Sequence, residues 1–456
     1  MKGVVIAGTA SGVGKTTITC GLIGALRTLG LVVAPFKVGP DYIDPSYHAR
    51  VAGRPCHTLD SWMIPHAVLR QIFARSARDA DVAVVEGVMG LFDGRSGGGE
   101  AGSTAEVAKL LGLPVVLVVD AAKTARSAAA HVLGFQRFDP ALRLAGVILN
   151  NVASPNHAAI CAEAIVAATG LPVLGALQRA ETLRVPERYL GLVPTVEGRV
   201  AEQFFADAIE RVSTQVDLAQ LLRISAEAHD LEGSDEDSPW PAAALPERLT
   251  IAVARDEAFS FMYPENLDLL TSWGAVVAPF SPLHDRALPA GTTGVYLGGG
   301  FPELYAEALA DNMPMFAALR AAAARTLPIY AECGGLMYLG EQLTDGAGLT
   351  HAMVGIAPLR SSMTRQKLTL GYRVATAQTD GPHLTRGQTV RGHEFHWSTL
   401  EESPAPKDSA YELDGMRHEG YARGNVWASY VHLHFATDAH IAPRFIAQCE
   451  AAASGS

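Results

Sequence analysis

A doubly wound α/β domain followed by a second α/β domain is the architecture this 456-residue sequence predicts. Three observations predict it. Short Val/Ile/Leu-rich runs alternate with helix-length amphipathic segments through residues 1–195, the pattern of parallel strands covered on both faces by crossover helices. An acidic stretch rich in Ser, Pro and Ala then interrupts this pattern, which restarts at residue 249. The chain is also longer than one hydrophobic core usually organises.

In the first half, strands are expected at GVVIAG (3–8), LVVAPFKV (31–38), DVAVVEGV (81–88), PVVLVVD (114–120) and AGVILNNV (145–152). Asp230, Glu232, Asp235, Glu236 and Asp237 crowd the linker candidate. Beyond it, strands are expected at LTIAVARD (249–256), GAVVAPF (274–280), TGVYLGGGF (293–301) and LPIYAECGG (327–335). After residue 350 helical stretches thin and β-type runs such as TVRGHEFHWSTL (389–400) follow one another. The boundaries this implies are a domain over 1–225, a linker over 226–247 and a second domain over 248–456.

Composition narrows the classes of partner. With 48% hydrophobic and 18% charged residues the chain reads as an ordinary globular protein. A net charge of -11 argues against a nucleic acid or an anionic membrane as main partner, which leaves small molecules. Five scattered cysteines without CxxC spacing form no disulfide framework, so a reducing cytoplasm is expected. The apolar N-terminal run is broken by Gly8–Lys15 before it resembles a signal peptide, and no run approaches the roughly 20 apolar residues of a membrane span.

The segment GTASGVGKTT (8–17) places a Gly-rich turn between a strand and a helix. Backbone N–H groups and a helix N-terminus there converge on phosphate oxygens, Lys15 reaches the β and γ phosphates, and the Thr16 hydroxyl suits Mg²⁺. Thr9 stands where the strict phosphate-loop spacing has glycine, and Ala10 where a partition-type ATPase carries a second lysine. This variant resembles the loop of dethiobiotin synthetase and its relatives. The ATP-binding set is thus Thr9, Gly12, Gly14, Lys15, Thr16 and Thr17, with Asn150 joining it from a later strand. In FKVGPDYIDPSYH (36–48), Lys37, Asp41 and Asp44 fall at a strand's C-terminal edge, where open α/β sheets bind ligands. They suit a substrate carboxylate or the transferring phosphoryl group, with Arg54 a second cation. Glu86 in VVEGVMGLFDG (84–94) is the expected Mg²⁺ ligand beside Thr16, and Asp93 lies in the following loop. Asn150 and Asn151 end another strand and either read an adenine edge or serve the turn.

In the second half Cys333 follows an apolar strand and precedes Gly334-Gly335 and a helix-like run. That is a nucleophile elbow, in which the turn exposes the sulfur and the helix N-terminus lowers its pKa. The glycine pair shows no packing purpose in the sequence. The activating base is a distant histidine: His432 and His434 in SYVHLHFATD (429–438), or His393 and His396 in GHEFH (392–396). The HxH and HxxH pairs also suit a metal, although nothing supplies a conventional third ligand. Gly298, Gly299 and Gly300 follow a strand, and the N–H groups of Gly299 and Gly300 suit an oxyanion hole.

Strand, Cys-Gly-Gly elbow, Gly-rich loop and late histidine resemble the class I glutamine amidotransferase domain. Behind a dethiobiotin-synthetase-like ATPase, and with FKVGPDYIDP, VEGVMGLFDG, ARDEAFSFMYPENL, LGGGFPELYA, AECGGLMYL and GHEFHWS in that order, the chain resembles the cobyrinate a,c-diamide synthase family from residue 1 to about 440. The resemblance implies an N-terminal P-loop amidoligase domain fused to a C-terminal glutaminase domain. It implies ATP and Mg²⁺ as cofactors, glutamine as nitrogen donor and a corrinoid polycarboxylate as substrate, with no nucleic acid or membrane partner and with room for a homodimer. It implies Cys333 as nucleophile and His432 as its base. The family of amidotransferases commonly follows this histidine with Pro-Glu, whereas Leu433-His434 stand here, so a Cys333–His432 dyad is what the resemblance leaves. Alternatives are hydrogenobyrinate or a nickel sirohydrochlorin as substrate, or a nucleotide-binding regulatory module with an inactive glutaminase half.

Overall fold

The computed structural model describes residues 2–180, 187–188, 191–198, 200–228, 237–365, 367–402 and 405–454. Asp230, Glu232, Asp235 and Glu236 of the expected linker lie outside these described residues. The chain divides into two compact units, residues 1–236 and 237–456.

In the first unit the chain runs β1 (Gly3–Gly8), α1 (Lys15–Thr28), β2 (Val33–Val38), α2 (Asp44–Ala52), β3 (His57–Leu59), α3 (His66–Ser76), β4 (Val82–Glu86), α4 (Thr104–Leu110), β5 (Val115–Asp120), α5 (Ser127–Phe138), β6 (Leu144–Val152), α6 (Pro155–Thr169) and β7 (Val173–Gln178). The strands form one sheet in the order β3-β2-β4-β1-β5-β6-β7, with every pairing parallel. This is the doubly wound α/β fold the sequence predicts. The five expected strands are present with slightly different ends, because continuous apolar runs such as GVVIAG are buried along their whole length. Two strands of this sheet lie outside the five expected. β3 has three residues, too few to show a period, and β7 is an edge strand, only partly buried and interrupted by Gly175.

Winding direction decides where a ligand fits. From β1 the chain moves out to β2 and β3, returns to insert β4 beside β1, and then passes to the other side with β5. The C-terminal ends of β1, β2 and β4 therefore meet where the winding reverses, the usual ligand crevice of such sheets.

The second unit has a six-stranded sheet in the spatial order 275–280, 249–254, 292–297, 329–332, 426–429, 421–423. The first five are parallel and the last antiparallel. Val295, Leu297, Ile329 and Ala331 of this sheet pack with Phe316 and Leu336 in one buried core. A second sheet, antiparallel, carries strands 417–419, 411–413, 369–377, 389–396 and 432–433. The single run expected over 389–400 breaks after His396, whose ring Nδ1 bonds the Ser398 carbonyl, and Thr399–Leu400 joins a different sheet. The run expected over 293–301 likewise ends at Leu297, and Gly299–Gly300 turn to pair antiparallel with Phe259–Phe261. Among the described residues no helix is long and apolar enough to cross a membrane.

Candidate active sites

β1 ends at Gly8 and α1 begins at Lys15, so residues 9–14 form the turn over the sheet edge. Gly14 holds φ at +93°, and a Cβ there would stand 2.2 Å from Asn150 Nδ2. Only glycine fits that position. The Asn150 amide donates to the Val13 carbonyl at 2.9 Å and so braces the loop. Asn151 similarly donates to Asp120 at 3.2 Å, a turn role. Thr9 N–H still donates to Val118 O, extending the β1 pairing into the loop, while Thr17 lies partly buried in the first turn of α1.

Lys15 is buried, and its Nζ donates to the carbonyls of Ala10 at 3.1 Å and Met89 at 2.6 Å. Burial lowers its pKa, against the opposing pull of Glu86. Thr16 Oγ1 donates to Glu86 Oε1 at 2.9 Å. Strand register explains the meeting, since Glu86 ends β4 between Ile6 of β1 and Lys37 of β2. Glu86 is fully buried, and its other oxygen is bonded by His48 of α2. Burial opposes both charges, but His48 holds the Glu86 pKa down, and Glu86 lifts that of His48 to about 10.

Lys37 is 2% exposed, 3.5 Å from each of Asp41 and Asp44. Its buried charge is matched at rest by these two carboxylates. Burial, reinforced by Asp44, raises Asp41 to about 6. Asp41 also accepts the Ile43 and Asp44 N–H groups where the chain enters α2. Asp93 accepts the Gly90 N–H at 3.0 Å, and Leu91 N–H donates to Gly8 O, so the segment after β4 closes over the phosphate loop. The Arg54 guanidinium donates to Ser76 O at the end of α3.

In the second unit the strand Ile329–Glu332 stops at Cys333, whose φ of 47° and ψ of −102° make the sharp turn into the helix Gly334–Leu339. Such a strained residue is what an elbow requires. The glycine pair does have a packing purpose, contrary to the sequence reading. A Cβ on Gly335 would stand 2.6 Å from Leu297 O, and one on Gly334 would stand 3.1 Å from Gly300 N. The same closeness brings the Gly299–Gly300 backbone against the elbow, as an oxyanion hole needs.

Cys333 is 5% exposed, with its sulfur 3.9 Å from Phe395 O. The expectation of a lowered thiol pKa is corrected: burial and then the Glu303 charge push it up, and the Gly334 N–H opposes them too weakly. A six-residue helix offers little dipole to reverse that. The thiol at rest is therefore protonated and needs a base.

His432, the base that the resemblance implies, lies on the glycine loop that packs against the elbow. Leu433 and His432 pair with Gly392 and His393, and the two imidazoles stack with centroids 4.9 Å apart. A Cβ on Gly299 would meet His432 Cε1 at 2.5 Å, so the ring edge lies on the glycine loop. On its other side Nδ1 lies 3.7 Å from Glu332 Oε2. The remaining histidines have other work. His434 Nε2 lies 3.5 Å from buried Glu265, while its Nδ1 accepts the Ala436 N–H. His393 bonds the Tyr263 hydroxyl at 2.8 Å, and His396 stacks on Tyr430 at 3.8 Å.

Residues 4–193 match the CobQ/CobB/MinD/ParA nucleotide binding domain family, and residues 250–440 match the CobB/CobQ-like glutamine amidotransferase domain family. The chain is 45% identical over 450 residues to the cobyrinate a,c-diamide synthase of Dehalococcoides mccartyi strain CBDB1, covering 97% of each chain. It is 46% identical to the enzyme of that name from Gloeobacter violaceus over 99% of this chain and 97% of the relative. The Salmonella typhimurium relative of the same name is 45% identical over 95% of each. The chain belongs to the cobyrinate a,c-diamide synthase family.

Two residues beside these sites escaped the sequence reading. Glu332 stands next to the nucleophile inside the AECGG motif of this cobyrinate a,c-diamide synthase family member. His48 closes the FKVGPDYIDPSYH segment, and only the fold shows that it grips Glu86. His48→Gln is expected to lower ATP-dependent amidation about ten- to a hundredfold with either glutamine or ammonia, the scale that the expected Mg²⁺ role of its partner Glu86 implies. The stability it lends follows its raised pKa: fully present below pH 6.5 and lost as pH rises through about 10. Denaturant titrations of both proteins across that window check this, since the variant lacks the alkaline decline.

Proposed function

We propose that this protein amidates the a and c acetate carboxylates of cobyrinate in cobalamin biosynthesis, with ATP as activator and glutamine as nitrogen donor. The observation that carries the proposal is near-full-length similarity to enzymes named for that reaction, in a chain that keeps both a phosphate loop and a cysteine elbow. Those names favour the cobalt corrinoid over hydrogenobyrinate or a nickel tetrapyrrole.

A substrate carboxylate oxygen attacks the γ phosphorus of ATP, the bond to ADP breaks, and an acyl phosphate forms. Lys15 leaves the Ala10 and Met89 carbonyls for the phosphate oxygens. Thr16 and Glu86 offer the hard oxygen donors, already side by side, that suit Mg²⁺ accompanying a nucleotide. The ion, when bound, supplies charge neutralisation at the phosphates.

In the glutaminase unit the Cys333 thiol proton passes to His432 as sulfur attacks the glutamine side-chain carbonyl. The oxyanion is met by backbone N–H groups of the Gly299–Gly300 loop. The C–N bond breaks, ammonia leaves with the proton from His432, and water hydrolyses the thioester to glutamate. Ammonia then attacks the acyl phosphate, expels phosphate and leaves a primary amide.

The direct test supplies ATP and glutamine with cobyrinate and hydrogenobyrinate in parallel and reads products by mass spectrometry. Two amidations of cobyrinate, dependent on both co-substrates, are the expected result. No amidation of cobyrinate by folded, ATP-binding protein contradicts the proposal.

A further inference from the structure

At the two positions after His432, where the resemblance leads one to look for an orienting acid, stand Leu433 and His434. His434 turns away to Glu265. The carboxylate that lies beside the His432 ring comes from the residue before the nucleophile: Glu332 Oε2 is 3.7 Å from Nδ1, an ion-pair separation longer than a hydrogen bond.

Everything around Glu332 fixes that carboxylate. It is fully buried and accepts hydrogen bonds from the hydroxyls of Tyr330 at 2.5 Å and Tyr296 at 3.1 Å. Its Oε1 also accepts the Leu433 N–H at 2.9 Å, one residue past His432. Asn266 holds the other side of the same peptide segment, donating to Leu433 O at 2.9 Å and accepting the Phe435 N–H at 2.7 Å. The His432 backbone is therefore pinned to Glu332 while its ring lies between Glu332 at Nδ1 and the glycine loop at Cε1. Beside the ring stand Glu332 from the cysteine strand and His393 from strand 389–396. Burial and the proximity of His432 hold the His393 pKa well below its ordinary value, against the opposing pull of Glu394, so His393 stays neutral while Glu332 offers the ring a compensating charge.

We infer that Glu332 is the third member of the glutaminase triad, a positioning residue that directs the His432 Nδ1 proton to itself and leaves Nε2 to take the proton of Cys333. The acid comes from the position before the nucleophile and not from the chain beyond the histidine. Its role is to fix the tautomer and to offset imidazolium charge when the thiol proton is transferred, as the acid of a Ser-His-Asp triad does. The inference rests on the assignment of Cys333 and His432 as the glutaminase pair.

Glu332→Gln tests it, because the amide oxygen in the place of Oε1 still accepts the Leu433 N–H and the Tyr330 hydroxyl, while the Oε2 acceptor that faces His432 and Tyr296 becomes an NH₂ donor and the charge is lost. Glutamine hydrolysis should lose about a hundredfold or more in kcat, by analogy with the loss of a triad acid. The KM for glutamine and ammonia-driven amidation should stay near wild type, and Glu332→Asp should restore part of the lost rate. A loss of less than tenfold in folded Glu332→Gln protein overturns the inference. Should the variant fail to fold, imidazole ¹⁵N spectra of the wild-type protein decide: a neutral His432 protonated at Nδ1 is expected, and protonation at Nε2 overturns it. A Cys333→Ser protein that still hydrolysed glutamine would instead overturn the underlying assignment.

Discussion

Cys333→Ser is expected to abolish glutamine-dependent amidation while leaving ammonia-dependent amidation intact. Serine keeps the size of the side chain, so the strained elbow at φ 47° and the surrounding core have no reason to change. What disappears is nucleophilicity. The cysteine thiol, although burial raises its pKa, is far easier to deprotonate than a serine hydroxyl, and His432 cannot make up the difference. Glutamine hydrolysis should fall by about a thousandfold or more, the scale seen when a nucleophile is removed from a triad. Free ammonia bypasses the lost step, so product formed with ammonium salts should rise with pH as more NH₃ is present. Measuring both nitrogen sources on one preparation separates the two half-reactions. Loss of the ammonia reaction as well, in folded protein that binds ATP, would refute a division of labour between the two units. The raised thiol pKa adds a corollary: iodoacetamide should label resting Cys333 slowly at neutral pH.

The parts of these sites that the sequence reveals are those whose logic is local. GTASGVGKTT contains strand end, turn and helix start in ten residues, and the fold realises them in that order. Cys333 is legible for the same reason, being flanked by an apolar strand and a Gly-Gly turn. Contacts made between strands are not legible. Gly334 and Gly335 seem idle until the neighbouring strand and its Leu297–Gly300 extension lie against them. Glu332 looks like a polar end to an apolar strand, and only the parallel pairing of 329–332 with 426–429 carries its carboxylate to the segment that holds His432. His48 meets Glu86 because α2, packed against β2 and α1, carries its ring to the end of β4, a relation with no local signature. The upward direction of the Cys333 pKa is not legible either, because sequence shows the helix that follows but not the burial that outweighs it.

Lys15→Ala should remove amidation with either nitrogen source, which distinguishes it from every change in the glutaminase unit. The Lys15 ammonium now bonds the Ala10 and Met89 carbonyls, and burial already disfavours its charge. An arriving triphosphate reverses that disfavour, since its γ oxygens supply the negative charge that the carbonyl dipoles only approximate. The lysine then stabilises charge that builds on the transferring phosphoryl group, a contribution concentrated in the transition state. Loss of one such preorganised donor costs about a hundred- to a thousandfold in turnover, and the loss of a full charge in a buried site places this variant at the upper end. Alanine should not unfold the loop, because Gly14, Asn150 and the Leu91–Gly8 bond that shape it remain. The readout is ADP release and amide formation with saturating cobyrinate, run once with glutamine and once with ammonia. Glutamine hydrolysis by Cys333 in the absence of ATP should be unaffected. Amidation that survives the substitution would sink the phosphate-loop assignment, whatever the glutaminase unit does.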